Sequence, residues 1–277
     1  MTGKPRDHHL GVVLRTERIA PHMIRVIVGG DGLRDFAATG HTDQYVKIVF
    51  PHEGVEYPKP FDIKQVRQTM PREHWPRLRT YTVRAWDPDA RELTLDFVYH
   101  GDQGLAGPFA AAAKPGDEVL MLGPNGGYAP DPAADWHLFA GDESALPAIA
   151  ASLEALPEGA RGFAFIEVAG PEEEIKLSSP GHVEITWLYR GDRPVGEALV
   201  EAVRSFACPA GEVQAFVHGE AGFVKQLRRH LRVGLGIPMD RLSISGYWRA
   251  GADDEAWRAV KKDWNKQVEA EEAATLT

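Results

Sequence analysis

The sequence predicts a two-domain β + α/β protein, with a Greek-key β-barrel in its N-terminal half and a parallel α/β sheet in its C-terminal half. About six short segments rich in Val, Ile, Leu and aromatic residues fill the first half, whereas strands alternate with amphipathic helices in the second. The stretch PNGGYAPDPAADW at 124–136 is crowded with Gly and Pro and separates the two patterns. We therefore expect one domain over residues 1–127 and another over residues 128–277.

The six segments of the first half have the length and spacing of strands in a small closed barrel. In LTLDFVYH, Leu95, Phe97 and Tyr99 point to one face and the residues between them point to the other. A Pro-rich excursion at 51–78 interrupts the strands, and one short helix is predicted in it near 62–70. The predicted strands are 10–18, 22–29, 44–50, 80–86, 91–100 and 117–122.

The second half begins with a short apolar strand at 136–140. The next segment, SALPAIAASLEAL at 144–156, is predicted to be helical because Ala145, Ile149 and Leu153 fall on one face. Repetition of this unit favours a parallel sheet with right-handed crossovers. The further predicted strands are 162–168, 183–188, 213–218 and 242–248, and the further predicted helices are 195–206 and 220–235.

A final helix is predicted over 254–272. Trp257, Val260, Trp264 and Val268 recur along it at helical spacing. We interpret this apolar stripe as the face that packs on the body of the second domain.

Composition excludes several classes of partner. The net charge is −9 and no Lys/Arg-rich run is present, so we expect no nucleic acid partner. No apolar run reaches the ~18 residues that span a bilayer, and no metal-ligand spacing occurs, with His8 and His9 assigned to a mobile terminus rather than to a site. The single cysteine, Cys208, is expected to be buried near a helix end. We expect a cytoplasmic monomer that binds no metal and no membrane.

The stretch RTYTV at 79–83 raises the question of a ligand. Tyr81 can stack on a flavin ring, Thr82 can hydrogen-bond the polar edge of the ring, and Arg79 can hold a phosphate oxygen. Because Tyr81 faces opposite to its neighbours in an ideal strand, a flavin nucleotide would have to wrap around the strand end. The alternative is an ordinary exposed strand, since exposed strands often carry Arg, Thr and Tyr.

Two loops offer further candidate ligand sites. In HGDQGLAGPFAAAA at 100–113, several glycines allow close backbone approach, and a helix predicted to begin near Pro108 offers free N–H groups. In FAGDESALPAI at 139–149, a strand ends in a tight turn before a helix, as in nucleotide-binding sheets. Asp142 and Glu143 would repel a phosphate placed directly on them and can instead cap the helix. Either loop can also be a turn without a ligand.

Taken together, these residues resemble the siderophore-interacting protein family, the FAD-dependent ferric-siderophore reductases of the ferredoxin reductase-like superfamily. RTYTV resembles the flavin motif of that superfamily, and GYWRAG at 246–251 is the most specific block for the family. The resemblance spans roughly residues 8–260. The other matching blocks are DQYVKIVF (43–50), DFVYHGDQGLAG (96–107), GDESALPAIAASLEALP (141–157) and VHGEAGFVKQLRRHLR (217–232).

The resemblance implies an FAD-binding barrel domain, an NAD(P)H-binding α/β domain, and FAD held between them. Lys47 and Arg249 are implied to be the basic residues that attract an anionic ferric siderophore beside the flavin, and they are our candidate catalytic residues. The implied cofactor-binding residues are Arg79, Thr80, Tyr81, Thr82, Asp96, Val98, His100, Gly104, Ala106, Gly107, Asp142, Glu143, Ser144, Ala145 and Trp248.

The chain departs from the family pattern at two places. Relatives often carry Arg in the turn that reads Gly123-Pro124-Asn125-Gly126 here, so one expected cation is missing. Relatives often carry Trp where this chain has Pro108-Phe109. Both departures bear on siderophore preference more than on FAD binding.

The electron donor and the acceptor stay open at this point. The helix 254–272 resembles the C-terminal extension of members that use NADH or NADPH rather than ferredoxin. The glutamates at 172–174 disfavour a 2′-phosphate and hence favour NADH, whereas Arg190 or Arg193 could favour NADPH. The alternatives are an NAD(P)H-dependent flavin or ferredoxin-type reductase with another acceptor, and a siderophore- or flavin-binding protein without turnover.

Overall fold

A computed structural model describes residues 8–276 of the chain. The chain divides into two compact units, one ending at Gly127 and the other beginning at Tyr128.

The first unit is a closed six-stranded Greek-key barrel with the strand order β1-β2-β5-β4-β3-β6. All neighbouring strands pair antiparallel. The predicted barrel is therefore confirmed. The strands are β1 (His8–Ala20), β2 (Met23–Gly29), β3 (Tyr45–Phe50), β4 (Arg77–Asp87), β5 (Glu92–Val98) and β6 (Glu118–Asn125).

The barrel core follows the alternation read from LTLDFVYH. Leu95 and Phe97 have no exposed surface, and Tyr99 packs against the same core. The helix predicted near 62–70 is α1 (Ile63–Thr69), which Asp62 caps by accepting hydrogen bonds from two backbone N–H groups.

The second helix of the barrel unit, α2 (Ala106–Ala112), begins two residues before the predicted start at Pro108. The buried side chains of Ala106 and Ala110 draw this first turn onto the barrel core. The strand β6 also continues into the segment that composition assigned to the linker, because its last residues pair with β3.

The second unit is a five-stranded parallel sheet with the order β11-β10-β7-β8-β9, and the predicted architecture is confirmed. Helices α4 and α5 pack through apolar side chains on one core cluster of the sheet. The strands are β7 (Trp136–Gly141), β8 (Arg161–Val168), β9 (His182–Tyr189), β10 (Val213–Glu220) and β11 (Leu242–Trp248), and the helices are α3 (Leu146–Glu154), α4 (Glu197–Ser205), α5 (Ala221–Arg229) and α6 (Asp254–Leu276).

The start of α3 differs from the prediction at Ser144. Asp142 accepts hydrogen bonds from both the backbone N–H and the hydroxyl of Ser144, which holds this residue in a turn, so the helix begins at Leu146. The predicted face is correct, since Ala145, Ile149 and Leu153 are all fully buried.

The apolar stripe of α6 was predicted correctly except at Val260. Trp257 and Val268 are buried, but Val260 is 51% exposed. The partly buried residue one turn after Trp257 is Lys261, because a spacing of four residues keeps closer to the contact face here than a spacing of three.

Cys208 is exposed rather than buried, because it lies in the irregular segment after α4 instead of on an apolar face. Among residues 8–276, no helix has the length and apolar character needed to cross a membrane.

Candidate functional site

The RTYTV stretch lies in the middle of β4, paired with β3. Tyr81 is partly exposed, and its ring packs at 4.2 Å between centroids against the buried ring of Phe97. The Arg79 guanidinium donates a hydrogen bond of 3.1 Å to the carbonyl of Leu78, which keeps it beside its own strand. Thr82 is buried beside them. The strand therefore presents a supported aromatic ring next to an anchored cation.

Thr80 is the exposed member of the motif. Its partner across the ladder is Lys47 on β3, which in turn lies opposite Leu122 on β6. Lys47 is half-buried and lines a cavity of about 440 Å³ on the outer wall of the barrel. The predicted substrate cation and the predicted flavin strand are thus direct neighbours.

The loop after β5 has an open backbone. Gly104 has a φ of +78°, and a Cβ built there would meet no atom within 4 Å. Gly107 by contrast packs tightly, because its Cβ would lie 3.3 Å from the carbonyl oxygen of Val98. His100 is exposed at the start of this loop, with its ring 6.3 Å from that of His22. A ligand can approach the backbone at Gly104 but not at Gly107.

Asp96 was predicted to bind cofactor, and the structure places it in a buried ion pair. Both carboxylate oxygens accept hydrogen bonds from Arg25, at 2.7 and 2.8 Å. The side chain of Asp96 is 1% exposed. This pair ties β5 to β2, since the two residues lie opposite each other in the ladder.

Asp142 collects four hydrogen bonds at the carboxyl end of β7. One carboxylate oxygen accepts from the N–H and the hydroxyl of Ser144, and the other accepts from the N–H of Glu220 and the indole N–H of Trp248, both at 2.8 Å. The residue has no exposed surface, and burial raises the pKa of its carboxyl to about 6. Asp142 therefore joins the ends of β7, β10 and β11 and does not present its charge to a phosphate.

Glu220 completes this junction from β10. Its carboxylate caps α5 through the N–H of Gly222 at 2.5 Å and that of Phe223 at 3.2 Å, and it also accepts from the N–H of Ala250. The sequence reading did not single out Glu220, although an acidic residue between a strand and an amphipathic helix is a common capping signal.

Glu143 pairs with Arg190, which follows β9. The shorter contact is 2.7 Å, from Nη2 of Arg190 to a carboxylate oxygen of Glu143. The same guanidinium lies 3.4 Å from Glu167, which has no exposed surface. Glu167 also accepts hydrogen bonds from the N–H groups of Gly196 and Leu199 at the start of α4. One cation thus holds two carboxylates at the carboxyl edge of the sheet.

Arg249 lies just beyond β11 and is exposed. Its guanidinium carbon is 5.9 Å from the centroid of the buried Trp257 ring on α6. This cation–π contact holds the guanidinium end of the side chain against α6, and the preceding residue, Trp248, is partly exposed.

Family models match both units. The model for the siderophore-interacting FAD-binding domain matches residues 12–128, and the model for the siderophore-interacting protein matches residues 134–251. The chain belongs to the siderophore-interacting protein family.

Curated relatives of this siderophore-interacting protein cover almost its whole length. An uncharacterized protein of Mycobacterium tuberculosis is 46% identical over 99% of this chain and 100% of its own. The ferric vibriobactin reductase ViuB of Vibrio cholerae is 33% identical, covering 88% of this chain and 90% of its own. The NADPH-dependent ferric-chelate reductase of Escherichia coli is 29% identical, covering 86% and 91%.

Solved structures agree with this assignment. The siderophore-interacting protein SipS from Aeromonas hydrophila superposes with a TM-score of 0.79 at 30% identity, covering 95% of this chain and 100% of its own. A ferredoxin NADP⁺ reductase from Neisseria gonorrhoeae with bound FAD and NADP superposes with a TM-score of 0.60 at 13% identity, covering 87% and 99%. The second likeness shows the shared fold alone.

The residues present in the barrel unit fit a flavin. Tyr81 supplies a flat and partly exposed ring backed by Phe97, Arg79 supplies an anchored cation, and Gly104 supplies an open backbone. The roles of the individual predicted cofactor residues remain predictions. Six of them, Thr82, Asp96, Ala106, Asp142, Glu143 and Ala145, have buried side chains.

Proposed function

We propose that the protein is an FAD-dependent ferric-siderophore reductase, which passes electrons from NAD(P)H through FAD to siderophore-bound Fe(III) and so releases Fe(II) during iron uptake. The observation that carries the proposal is the family match, which covers both units of the chain. The matched residues include the barrel strand with Arg79, Tyr81 and Thr82. They also include the end of β11, with Trp248 and Arg249. We propose that it acts as a cytoplasmic monomer.

The roles of the barrel residues follow from their chemistry. FAD, when bound, accepts a hydride from a nicotinamide and gives up its electrons singly, and this chemistry belongs to the cofactor. Tyr81 stacks on the flavin ring, Thr82 orients the polar edge of the ring, and Arg79 holds the pyrophosphate. The protein needs no nucleophile or general base for this reaction.

Lys47 and Arg249 attract the substrate. A ferric siderophore that is anionic meets a protein with a net charge of −9, so a local positive site must overcome the overall field. Salt screens that field beyond ~8 Å at physiological ionic strength, whereas a contacting ammonium or guanidinium is screened far less. Replacing either residue by Ala should raise the KM for the siderophore more than it weakens FAD binding.

We propose NADH as the preferred donor. A 2′-phosphate is read by a cation, but Arg190 pairs with Glu143 and Glu167, and Arg193 pairs with Glu197 and Glu201 at 2.8 and 2.7 Å. Both guanidinium groups are therefore already neutralised by carboxylates. The test is kcat/KM for NADH against NADPH, in the wild type and in Glu143→Gln. A wild-type preference for NADPH would contradict the proposal.

The deciding experiment for the reductase is spectroscopic. The purified protein should show a two-band flavin spectrum that bleaches on anaerobic addition of NADH and returns on addition of a ferric siderophore. Tyr81→Ala should lose most of the flavin, whereas Tyr189→Phe, a change at an exposed tyrosine of the second unit, should retain it. Bleaching that no ferric siderophore reverses would indicate a reductase with another acceptor. Flavin that neither NADH nor NADPH bleaches would indicate a binding protein without turnover.

A further inference from the structure

The cavity beside Lys47 gathers residues from five separate parts of the barrel unit. Its wall is formed by β1, the segment after β2, β3, α1 with the start of β4, and the end of β6. Its volume of about 440 Å³ lies in the range of small-molecule sites. The excursion at 51–78 that interrupts the strands therefore has a structural consequence, because α1 closes one side of this cavity.

The described side chains that line the cavity carry more positive than negative charge. Two cations from different elements line it, Lys47 on β3 and Arg67 in the last turn of α1. Among the described residues that line the cavity, Asp35 is the one carboxylate. His9 also lines the cavity, but burial lowers its pKa, so it is neutral at physiological pH. Two permanent cations against one carboxylate favour an anionic occupant.

Asn125 stands in the same cavity, at the end of β6. This is the position at which the family resemblance led us to expect Arg. An amide can donate a hydrogen bond to an anionic oxygen but carries no charge. The second cation of the cavity comes instead from Arg67, on a different element.

Arg67 has the geometry of a ligand-binding guanidinium. Its central carbon lies 5.6 Å from the centroid of the Trp75 ring, a contact that limits the number of rotamers it can adopt. Within residues 8–276, no carboxylate forms an ion pair with it. Its planar fork can therefore bind two oxygens of one ligand group.

We propose that Arg67 is a specificity-determining residue that binds, together with Lys47, an anionic oxygen-donor arm of the ferric chelate in this cavity. The apolar side chains of Ile63, Leu78 and Leu122 also line the cavity and contact the carbon skeleton of that arm. The site therefore selects anionic chelates over cationic chelates. The identity of the ligand as a ferric chelate rests on the proposed reductase function.

The test uses redox-inert gallium(III) complexes on the FAD-loaded protein, with dissociation constants measured by titration calorimetry. Arg67→Ala should weaken binding of the trianionic gallium tris-catecholate about tenfold, the loss of one bidentate charged contact. Arg67→Lys should weaken it about threefold, because it retains the charge but not the fork. Binding of the monocationic gallium complex of desferrioxamine B should change less than about twofold in both variants.

Arg72→Ala is the matched control. It removes the same charge from the same excursion, and Arg72 is exposed and does not line the cavity. If Arg72→Ala weakens binding of the gallium tris-catecholate as much as Arg67→Ala does, the loss comes from the overall electrostatic field of the protein, and the proposal is overturned. Wild-type affinity of Arg67→Ala for the tris-catecholate, or no binding of that complex by the wild type, would also overturn it.

Two further results separate this proposal from the reductase function. Gallium(III) is not reduced, so Arg67-dependent binding in a protein that fails to reduce ferric chelates would sink the reductase proposal alone. Active reduction with Arg67-independent binding would sink the present proposal alone. If Arg67→Ala instead loses FAD and binds the tris-catecholate normally once FAD is restored, the cavity serves a phosphate of FAD and the proposal fails.

Discussion

The indole N–H of Trp248 donates a hydrogen bond to the carboxylate of Asp142, with Nε1 and Oδ2 2.8 Å apart. Trp248 is the last residue of β11, and Asp142 directly follows β7. The N–H of Glu220, at the end of β10, donates to the same carboxylate oxygen. One buried carboxylate therefore sets the position of the aromatic residue that the family resemblance places against the flavin.

The buried carboxyl of Asp142 makes stability depend on pH. Its folded pKa is raised by burial from 3.8 to about 6, so between these values the folded state binds the proton that the unfolded state has released. The stabilisation from this group is therefore complete below pH 3.8 and is lost as pH rises through 6. The free energy of unfolding of the wild type relative to Asp142→Asn should fall by roughly 2–3 kcal/mol from pH 4 to pH 7. Urea titrations at several pH values measure this, and a constant difference would contradict it.

His218 on β10 makes stability depend on pH in the opposite direction from Asp142. Its Nε2 lies 2.9 Å from the hydroxyl of Ser243, its ring packs between Phe216 and Tyr247, and burial lowers its pKa to about 3. The stabilisation from neutral His218 is complete above pH 6.5 and is lost as pH falls toward 3. His218→Phe, which keeps the ring packing, should be within about 1 kcal/mol of wild type at pH 8.

Below pH 6, His218→Phe should become the more stable protein, because its unfolded state has no imidazole to protonate at this position. Thermal unfolding at pH 8 and pH 5 checks the crossing of the two stabilities. Equal losses in both proteins on acidification would show that His218 does not contribute.

Gly219 allows Asp142 to reach the junction. It has a φ of +138°, and a Cβ there would lie 2.6 Å from the Asp142 carboxylate and 2.5 Å from the Phe223 ring. Gly219→Ala should cost about 3–5 kcal/mol of unfolding free energy. Gly159→Ala is the control, because Gly159 has a φ of +74° but open space around it, so backbone strain alone should cost about 1–2 kcal/mol. Similar costs for both variants in urea unfolding would refute the steric argument.

The Arg25–Asp96 pair should respond asymmetrically to substitution. The Asp96 side chain is 1% exposed and that of Arg25 is 27% exposed. Arg25→Met leaves a buried carboxylate without its partner and should cost about 3–5 kcal/mol. Asp96→Asn leaves a guanidinium that reaches water and should cost about 1–2 kcal/mol. Urea unfolding of the apoprotein measures the unfolding free energy of both variants. A larger loss for Asp96→Asn than for Arg25→Met would contradict the prediction.

Local pattern predicted most of the fold because burial repeats along each element. The alternation at Leu95 and Phe97 placed β5 in the barrel core, and the spacing of Ala145, Ile149 and Leu153 placed α3 on the sheet. Helical periodicity predicted that Val260 is buried, which was wrong. Neighbouring positions near the edge of a helical face differ too little in angle for the hydrophobic pattern to separate a buried position from an exposed one. Periodicity also could not show that Asp142 turns inward, because its partners lie about 78 and 106 residues away in the chain.

The sequence by itself determined the two-domain architecture and the family, because hydrophobic periodicity, turn residues and short motifs are local properties of the chain. Only the tertiary structure decided which charges are neutralised within a unit and which line a cavity. Arg190 and Asp96 are held in ion pairs, whereas Arg67 lines the cavity of Lys47. These differences arise because an ion pair or a cavity depends on distances between residues far apart in sequence, which no local pattern contains.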